Sequence, residues 1–247
     1  MRKTTRIVAL ICVLVFALWL LQAQTLPINP KNWTFSAPVP ITDYAYNGAV
    51  VFDFPVEDGT QPRVNYFWTP QNKHISGALT AAFQMVTSSS SVVFNYQFES
   101  SNTCVNPAHV RLLMARNDYN KTNNPDYANT RWWSNPIAAL LTGGSTVQLR
   151  VPLTPDQWSN INGQFGNSDT TTLNGFNNTL QHPAMLGFSF GGGCFFGHGV
   201  NVSGGTAQFF LWGYSIGFPT LRQSSKACPR LPRITACFQS KRIGRKG

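Results

Sequence analysis

Residues 187–191 read Gly-Phe-Ser-Phe-Gly and match the G-x-S-x-G pattern of a hydrolase nucleophile elbow. An elbow needs a helix directly after the serine, but the consecutive glycines 191–193 follow and resist helix formation. The elbow family also places its acid and histidine after the serine, yet no Asp or Glu occurs beyond Asp169. No Gly-Lys-Ser/Thr follows for a phosphate loop. We interpret the segment as a tight corner at a strand end, where glycines allow positive φ and close backbone approach.

Sugar binding is the chemistry favoured by the long polar segment 117–136. Sugar rings stack on flat aromatic side chains, and Arg or Asn groups bond their hydroxyls. The candidate ligand-binding residues are Tyr119, Tyr127, Arg131, Trp132 and Trp133. Adjacent residues of an extended segment point to opposite sides, so we expect one tryptophan to pack inside and the other to face outward. The alternative is that both tryptophans cap the hydrophobic core beneath a long loop.

Calcium binding is a second possibility in this segment. Oxygen-bearing side chains occur at every second position, and the candidate metal ligands are Asp118, Asn120 and Asp126. The segment lacks the glycine and the terminal glutamate of an EF-hand loop. We therefore predict no cofactor other than a possible Ca²⁺.

Glycoside hydrolysis would need two carboxylates across a cleft. The chain has two Glu and seven Asp, and Asp53, Glu57 and Asp58 cluster near one predicted strand end. A solvated turn explains that cluster, and no nucleophile is paired with a base. A glycan-processing enzyme using Asp and Glu is therefore an alternative rather than the main hypothesis.

Residues 1–23 resemble a signal peptide. Arg2, Lys3 and Arg6 precede an apolar run over residues 7–21, which is short for a membrane span. We expect a secreted or periplasmic protein. The alternative is an uncleaved anchor, which would be the protein's only contact with a membrane.

The formal net charge of +10 arises mainly at the two ends of the chain. Three basic residues lie in the signal segment and eight in residues 222–247, whereas residues 23–221 hold eight basic and nine acidic residues. A nucleic-acid-binding fold carries its charge on a structured face. We expect no nucleic-acid partner, and we interpret residues 218–247 as a basic, disordered tail.

Export changes the interpretation of the cysteines, because an oxidising compartment favours disulfides over metal thiolates. Outside the signal segment the cysteines are Cys104, Cys194, Cys228 and Cys237. Three pairings are possible, and we favour Cys104 with Cys194 and Cys228 with Cys237. Neither the cysteines nor the scattered histidines have the spacing of a zinc site.

Short runs rich in β-branched and aromatic residues recur along the chain between clusters of Gly, Pro, Ser and Asn. They cover residues 48–54, 63–68, 75–86, 91–98, 109–116, 146–153, 184–190 and 206–216. The one helical turn predicted is at residues 154–157, where Thr-Pro-Asp-Gln supplies a cap and a proline. About eight strands with little helix predict an all-β, two-sheet antiparallel β-sandwich, a jelly roll, over residues 40–217 after an irregular lead-in at 24–39.

Four stretches carry a resemblance to a known fold family. They are "ISGALTAAFQMV" (75–86), "SVVFNYQF" (91–98), "LTPDQWSNINGQFG" (153–166) and "GFSFGGGCFFGHGV" with "GGTAQFFLWGYSI" (187–216). In order and pattern they resemble galactose-binding-like jelly rolls, the sandwiches of many carbohydrate-binding modules. The resemblance covers roughly residues 40–217 and implies a polysaccharide or glycan as partner. The expected function is an exported carbohydrate-binding protein, with a structural or cell-surface assembly protein lacking a small ligand as the alternative.

Overall fold

The computed structural model describes residues 24–35, 44–46, 48–57, 63–96, 107–144, 146–193 and 196–217. The predicted signal segment 1–23 and the predicted tail 218–247 lie outside these residues. So do all four cysteines of the predicted disulfides, Cys104, Cys194, Cys228 and Cys237.

The described residues form fifteen strands, most of them short. They are β1 Gln24–Thr25, β2 Thr34–Phe35, β3 Tyr44–Tyr46, β4 Ala49–Asp53, β5 Tyr66–Pro70, β6 Ala78–Thr87, β7 Val93–Tyr96, β8 Ala108–Ala115, β9 Arg131–Ser134, β10 Ala139–Leu140, β11 Val147–Pro152, β12 Trp158–Ser159, β13 Met185–Gly192, β14 Val200–Ser203 and β15 Ala207–Gly217. One α-helix is described, α1 at Thr170–Gln181, and 3₁₀ turns occur at Pro30–Asn32, Tyr127–Asn129 and Pro155–Gln157.

Two large antiparallel sheets contain most of these strands. The first has the order β11-β6-β15-β4-β3, with β1 beside β15, and the second has the order β12-β9-β8-β13-β5-β2, with β10 beside β8. Within them, β11-β6-β15-β4 faces β9-β8-β13-β5, which is the strand order of two interleaved Greek keys. The predicted all-β, two-sheet jelly roll is therefore confirmed.

The core lies between the two sheets and is largely aromatic. Each strand is extended, so alternate side chains point inward, and the inward positions are mostly Phe, Leu, Val and Met. Phe188 of β13 contacts Phe83 of β6 and Phe209 of β15, with ring centroids 5.5 Å and 5.3 Å apart. These contacts join the second sheet to the first, and they hold the second sheet as a rigid base for the side chains on its other face.

Each of the eight predicted strand runs overlaps an observed strand. The run 91–98 does not join a large sheet, because β7 pairs with β14 in a separate two-stranded ribbon. The second sheet instead contains β9, which lies inside the segment predicted to be a loop. The segment 117–136 is therefore a loop only in its first part.

Two further predictions need correction. The lead-in 24–39 was expected to be irregular, but within its described residues, 24–35, β1 joins the first sheet, β2 joins the second, and Trp33 is buried in the core. Helix α1 was also not predicted. Its Asp169 cap accepts a hydrogen bond from the Thr172 backbone N–H at 2.8 Å, and the Thr172 hydroxyl accepts one from the Asp169 N–H in return. This capping box initiates a helix of Thr, Asn and Gly, which are weak helix formers.

Candidate functional site

The side of the second sheet that faces away from the core, here called the outer face, contains the candidate site. Residues alternate between the two sides of each strand. The outward positions of β5, β8, β9 and β13 are Tyr66, Trp68, Pro70, His109, Arg111, Leu113, Ala115, Arg131, Trp133, Met185, Gly187, Ser189 and Gly191. Tyr119 and Phe196 pack on this face from neighbouring loops and form a second, smaller apolar cluster with it.

Trp132 points into the core, as one of the two tryptophans was expected to do. It is 0 % exposed and donates from its indole Nε1 to the Asn129 carbonyl oxygen at 3.0 Å and to the Thr179 hydroxyl at 3.2 Å. Its ring meets Phe176 of α1 edge-on, with centroids 5.3 Å apart. Since the indole is fully buried, the structure places Trp132 in the core, away from the surface where a ligand would stack.

Trp133 lies on the opposite side of β9, on the outer face. It is only 3 % exposed, and its indole Nε1 donates to the Ser189 hydroxyl oxygen at 3.0 Å. The ring of Phe196 lies beside it, with centroids 6.3 Å apart. A ligand can therefore reach an edge of the Trp133 ring but cannot stack across its whole face.

Ser189 lies in the middle of β13, with Tyr66 and Arg111 as its partners on the two neighbouring strands. An elbow serine would sit at a turn between a strand and a helix, whereas β13 continues to Gly192. Beyond β13 the chain turns at Gly197 and Gly199, whose φ angles of 74° and 87° favour glycine. The predicted corner is present, although its positive φ angles lie after the run 191–193 rather than within it.

Arg131 brings together several of the predicted site residues in what we call the arginine cluster, formed by Tyr66, Tyr119, Tyr127, Arg131 and Trp133. The guanidinium donates to the Tyr127 hydroxyl oxygen at 2.6 Å. It also lies 5.2 Å from the centre of the Tyr127 ring and 5.8 Å from those of Tyr119 and Trp133. Burial raises the pKa of Tyr66, and the nearby charge of Arg131 partly opposes that shift.

A cleft of about 390 Å³ adjoins this cluster at Trp133. We call it the amide cleft, and its lining consists of Trp133, Asn135, Asn160, Ile161, Asn162, Gly163, Phe196 and His198. Besides Gly163, the lining consists of amide side chains, aromatic rings including the His198 imidazole, and the aliphatic Ile161, and no carboxylate is among these residues. The cleft combines apolar surface with groups that both donate and accept hydrogen bonds.

Asn160 fixes the shape of the cleft wall. Its side-chain oxygen accepts from the backbone N–H of Asn162 and of Gln164, both at 3.0 Å. Its side-chain nitrogen donates to the Asn129 side-chain oxygen at 2.8 Å. Asn160 is therefore a buried turn residue, whereas Asn162 is exposed at the rim of the cleft. Asn135 donates to the Ser159 hydroxyl at 3.3 Å, which orients its amide.

Two of the three proposed calcium ligands, Asp118 and Asp126, bind an arginine instead. Arg116 donates from Nε and Nη2 to the two carboxylate oxygens of Asp118, at 3.0 Å and 2.9 Å. It also donates from Nη1 to Asp126 at 2.9 Å, and Asn120 is exposed. The hydrogen bond from Arg116 lowers the pKa of Asp118. Because the guanidinium already supplies the positive charge between these two carboxylates, the calcium prediction at Asp118, Asn120 and Asp126 does not fit this geometry.

Apart from Trp133, the sequence did not identify the residues of the amide cleft. Asn135, Asn160, Asn162 and Phe196 come from three separate parts of the chain, and only the fold brings them together. The one local signal is the Asn-Ile-Asn-Gly run at 160–163, which is typical of a turn with an exposed tip.

No protein-family model matches this chain, and a search of curated proteins finds no match. Among the described residues, no helix is long and apolar enough to cross a membrane. Within the same residues, no group of three or more His, Cys, Asp or Glu side chains could hold a metal ion.

Proposed function

We propose that this protein is an exported carbohydrate-binding protein, a jelly roll of the galactose-binding-like kind, and that its ligand occupies the amide cleft. The observation that carries the proposal is the lining of the cleft, in which asparagine amides alternate with aromatic and aliphatic surface. Export and a location outside the cytoplasm belong to the same proposal, and they rest on the signal-like segment 1–23.

Amides suit sugar hydroxyls because each hydroxyl both donates and accepts a hydrogen bond, and each amide side chain does the same. Asn162 and Asn135 supply such groups at the cleft. Phe196 and Ile161, together with an edge of the Trp133 ring, supply the apolar surface against which the C–H faces of a sugar ring can pack. The volume of about 390 Å³ lies in the lower part of the range for small-molecule sites.

The cleft wall is ordered before a ligand arrives, which favours binding because less conformational entropy is lost. Asn160 holds the turn that carries Asn162 through two backbone hydrogen bonds at 3.0 Å. Trp133 is held by its hydrogen bond to Ser189 on the rigid second sheet. The described residues of the lining include no carboxylate pair of the kind that glycoside hydrolysis requires, and amides with apolar surface are the composition of a binding site.

The test is a glycan array on the purified protein, followed by affinity measurements with the strongest neutral or acidic hit. We expect Asn162→Ala to weaken binding by about three- to tenfold, since one or two neutral hydrogen bonds to the ligand are lost. The substitution is at an exposed position and should leave the melting temperature unchanged. Asn177→Ala, on the exposed side of α1, is the matched control and should bind like the unaltered protein.

Three results would count against the proposal. The array could show no selective binding, Asn162→Ala could bind as well as Asn177→Ala, or sugars could be released from the hit. Release of sugars would favour the glycan-processing enzyme. Absence of binding on the array, together with retention of the protein at the cell surface, would favour an assembly protein.

A further inference from the structure

Arg131 and Arg111 lie on the outer face, and neither has an acidic partner among the described residues. The ion pairs among the described residues join Arg63 to Glu57 and Arg116 to Asp118 and Asp126. The outward positions of the four central strands of the second sheet contain these two arginines and no Asp or Glu. This face therefore carries uncompensated positive charge in a region whose other side chains are mostly aromatic.

Arg111 is the deeper of the two cations. It is 6 % exposed, its Nη atoms donate to the carbonyl oxygens of Gly192 and Gly193 at 3.4 Å and 3.2 Å, and Phe196 covers it at 3.9 Å. Burial lowers the pKa of Arg111 to about 10, so it stays charged at neutral pH. Arg111 lies four residues before Ala115, and Ala115 pairs with Arg131 on the neighbouring strand. The Cα atoms of Arg111 and Arg131 are therefore roughly 13 Å apart along the strand direction.

Arg131 is the more accessible cation, and its hydrogen bonds are incomplete. It is half-buried, it hydrogen-bonds the neutral hydroxyls of Tyr127 and Tyr66, and its buried Nε–H has no acceptor among the residues that the structure describes. A guanidinium removed from water without a counter-ion raises the free energy of the folded protein, even with aromatic rings around it. A carboxylate is the group that best offsets this free-energy cost, because its two oxygens accept paired hydrogen bonds from the planar guanidinium.

We infer that the carbohydrate is acidic and that a sugar carboxylate, of the uronic or sialic type, binds Arg131. The inference rests on the proposed function, because the arginine cluster adjoins the amide cleft through Trp133. In this arrangement the amide cleft holds the hydroxyls of the ring. Arg131 and the hydroxyls of the nearby tyrosines then bind its carboxylate. Arg111 adds a favourable potential from below the surface.

The experiment compares acidic probes with their uncharged methyl esters by titration calorimetry on the unaltered protein. The two acids are a galacturonic acid oligomer and sialyllactose, which separate the uronic from the sialic source. A hydrogen bond to a charged group contributes more than a neutral one, so we expect the ester of the preferred acid to bind about ten- to a hundredfold more weakly. Binding of the acid should also weaken at high salt.

Substitutions then assign the effect to Arg131. We expect Arg131→Met to bind acid and ester equally. Arg131→Lys should keep part of the preference for the acid, because lysine retains the positive charge but cannot form the paired hydrogen bonds of a guanidinium. Arg150→Met, an exposed arginine on β11 of the other sheet, is the matched control and should keep the full preference. If Arg131→Met does not fold, the role of Arg131 is tested by comparing the affinities of the Arg131→Lys variant and the unaltered protein for the acid and its ester.

The outcomes separate this inference from the proposed function. Selective binding of neutral glycans, or equal affinity for acid and ester, would overturn the acidic ligand and leave carbohydrate binding intact. Preference for the acid that survives Arg131→Met would overturn the role of Arg131. Absence of binding to any glycan would remove both proposals together.

Discussion

Trp132→Ala will lower the free energy of unfolding by about 3–5 kcal/mol, the usual range for a buried Trp truncated to Ala. The side chain is fully buried, and its loss leaves a cavity between β9 and α1 next to Phe176. The substitution also removes the indole N–H that donates to the Asn129 carbonyl oxygen at 3.0 Å. Urea denaturation followed by circular dichroism measures the change.

Two controls isolate the cause of that loss. Trp132→Phe removes both indole hydrogen bonds but fills part of the cavity. It should therefore lower the free energy of unfolding by less than Trp132→Ala does, about 1–3 kcal/mol. Trp212 is a partly exposed residue of the first sheet, and its ring stacks on that of Phe210 with centroids 6.0 Å apart. Trp212→Ala should lower the free energy of unfolding by less than Trp132→Ala does. A Trp132→Ala protein as stable as Trp212→Ala would show that Trp132 is not a core residue.

Gly187→Ala will lower the free energy of unfolding by about 1–3 kcal/mol or more, although it adds a single methyl group. A Cβ at this position would overlap the Phe67 carbonyl oxygen and lie 2.6 Å from the Cα of Trp68. Both are backbone atoms of the neighbouring strand β5. They can move away only if the pairing of β5 with β13 is distorted. A melting curve should show a decrease of several degrees.

Gly213→Ala is the matched control for this substitution. Gly213 also lies inside a long strand, β15, but the nearest atom to its added Cβ is the Ala82 Cβ at 3.9 Å, an ordinary contact. We expect its melting temperature to stay close to that of the unaltered protein. Equal effects of the two substitutions would contradict the close approach of β5 and β13.

The fold was largely predictable because the strands alternate apolar and polar residues or are apolar on both sides, and the pairing they imply is antiparallel. Strand β9 was missed because its four residues lie in a polar segment and only two of them are apolar. Helix α1 was missed for another reason. Its Thr, Asn and Gly residues have low helix propensity, and packing of Phe176 and Gly175 against the domain stabilises it instead.

The candidate site was predictable only where it depends on local geometry. Arg131 and Trp133 do lie together, because β9 presents its alternate residues to the outer face. Tyr119 and Tyr127 reach Arg131 from the turns that precede β9. The same alternation places Trp132 in the core, and the sequence alone could not indicate which tryptophan takes which side. The amide cleft depends on contacts between distant parts of the chain, for which no local pattern exists.

The most direct test of carbohydrate binding in the amide cleft is a nitrogen–proton NMR titration with the glycan selected on the array. We predict that the side-chain amide signals of Asn135 and Asn162 and the indole signal of Trp133 will shift together and saturate with one ligand. The indole signal of Trp132, which is buried in the core, should stay in place. Shifts confined to the outward residues of the first sheet, with Asn162 and Trp133 unchanged, would contradict the proposed site.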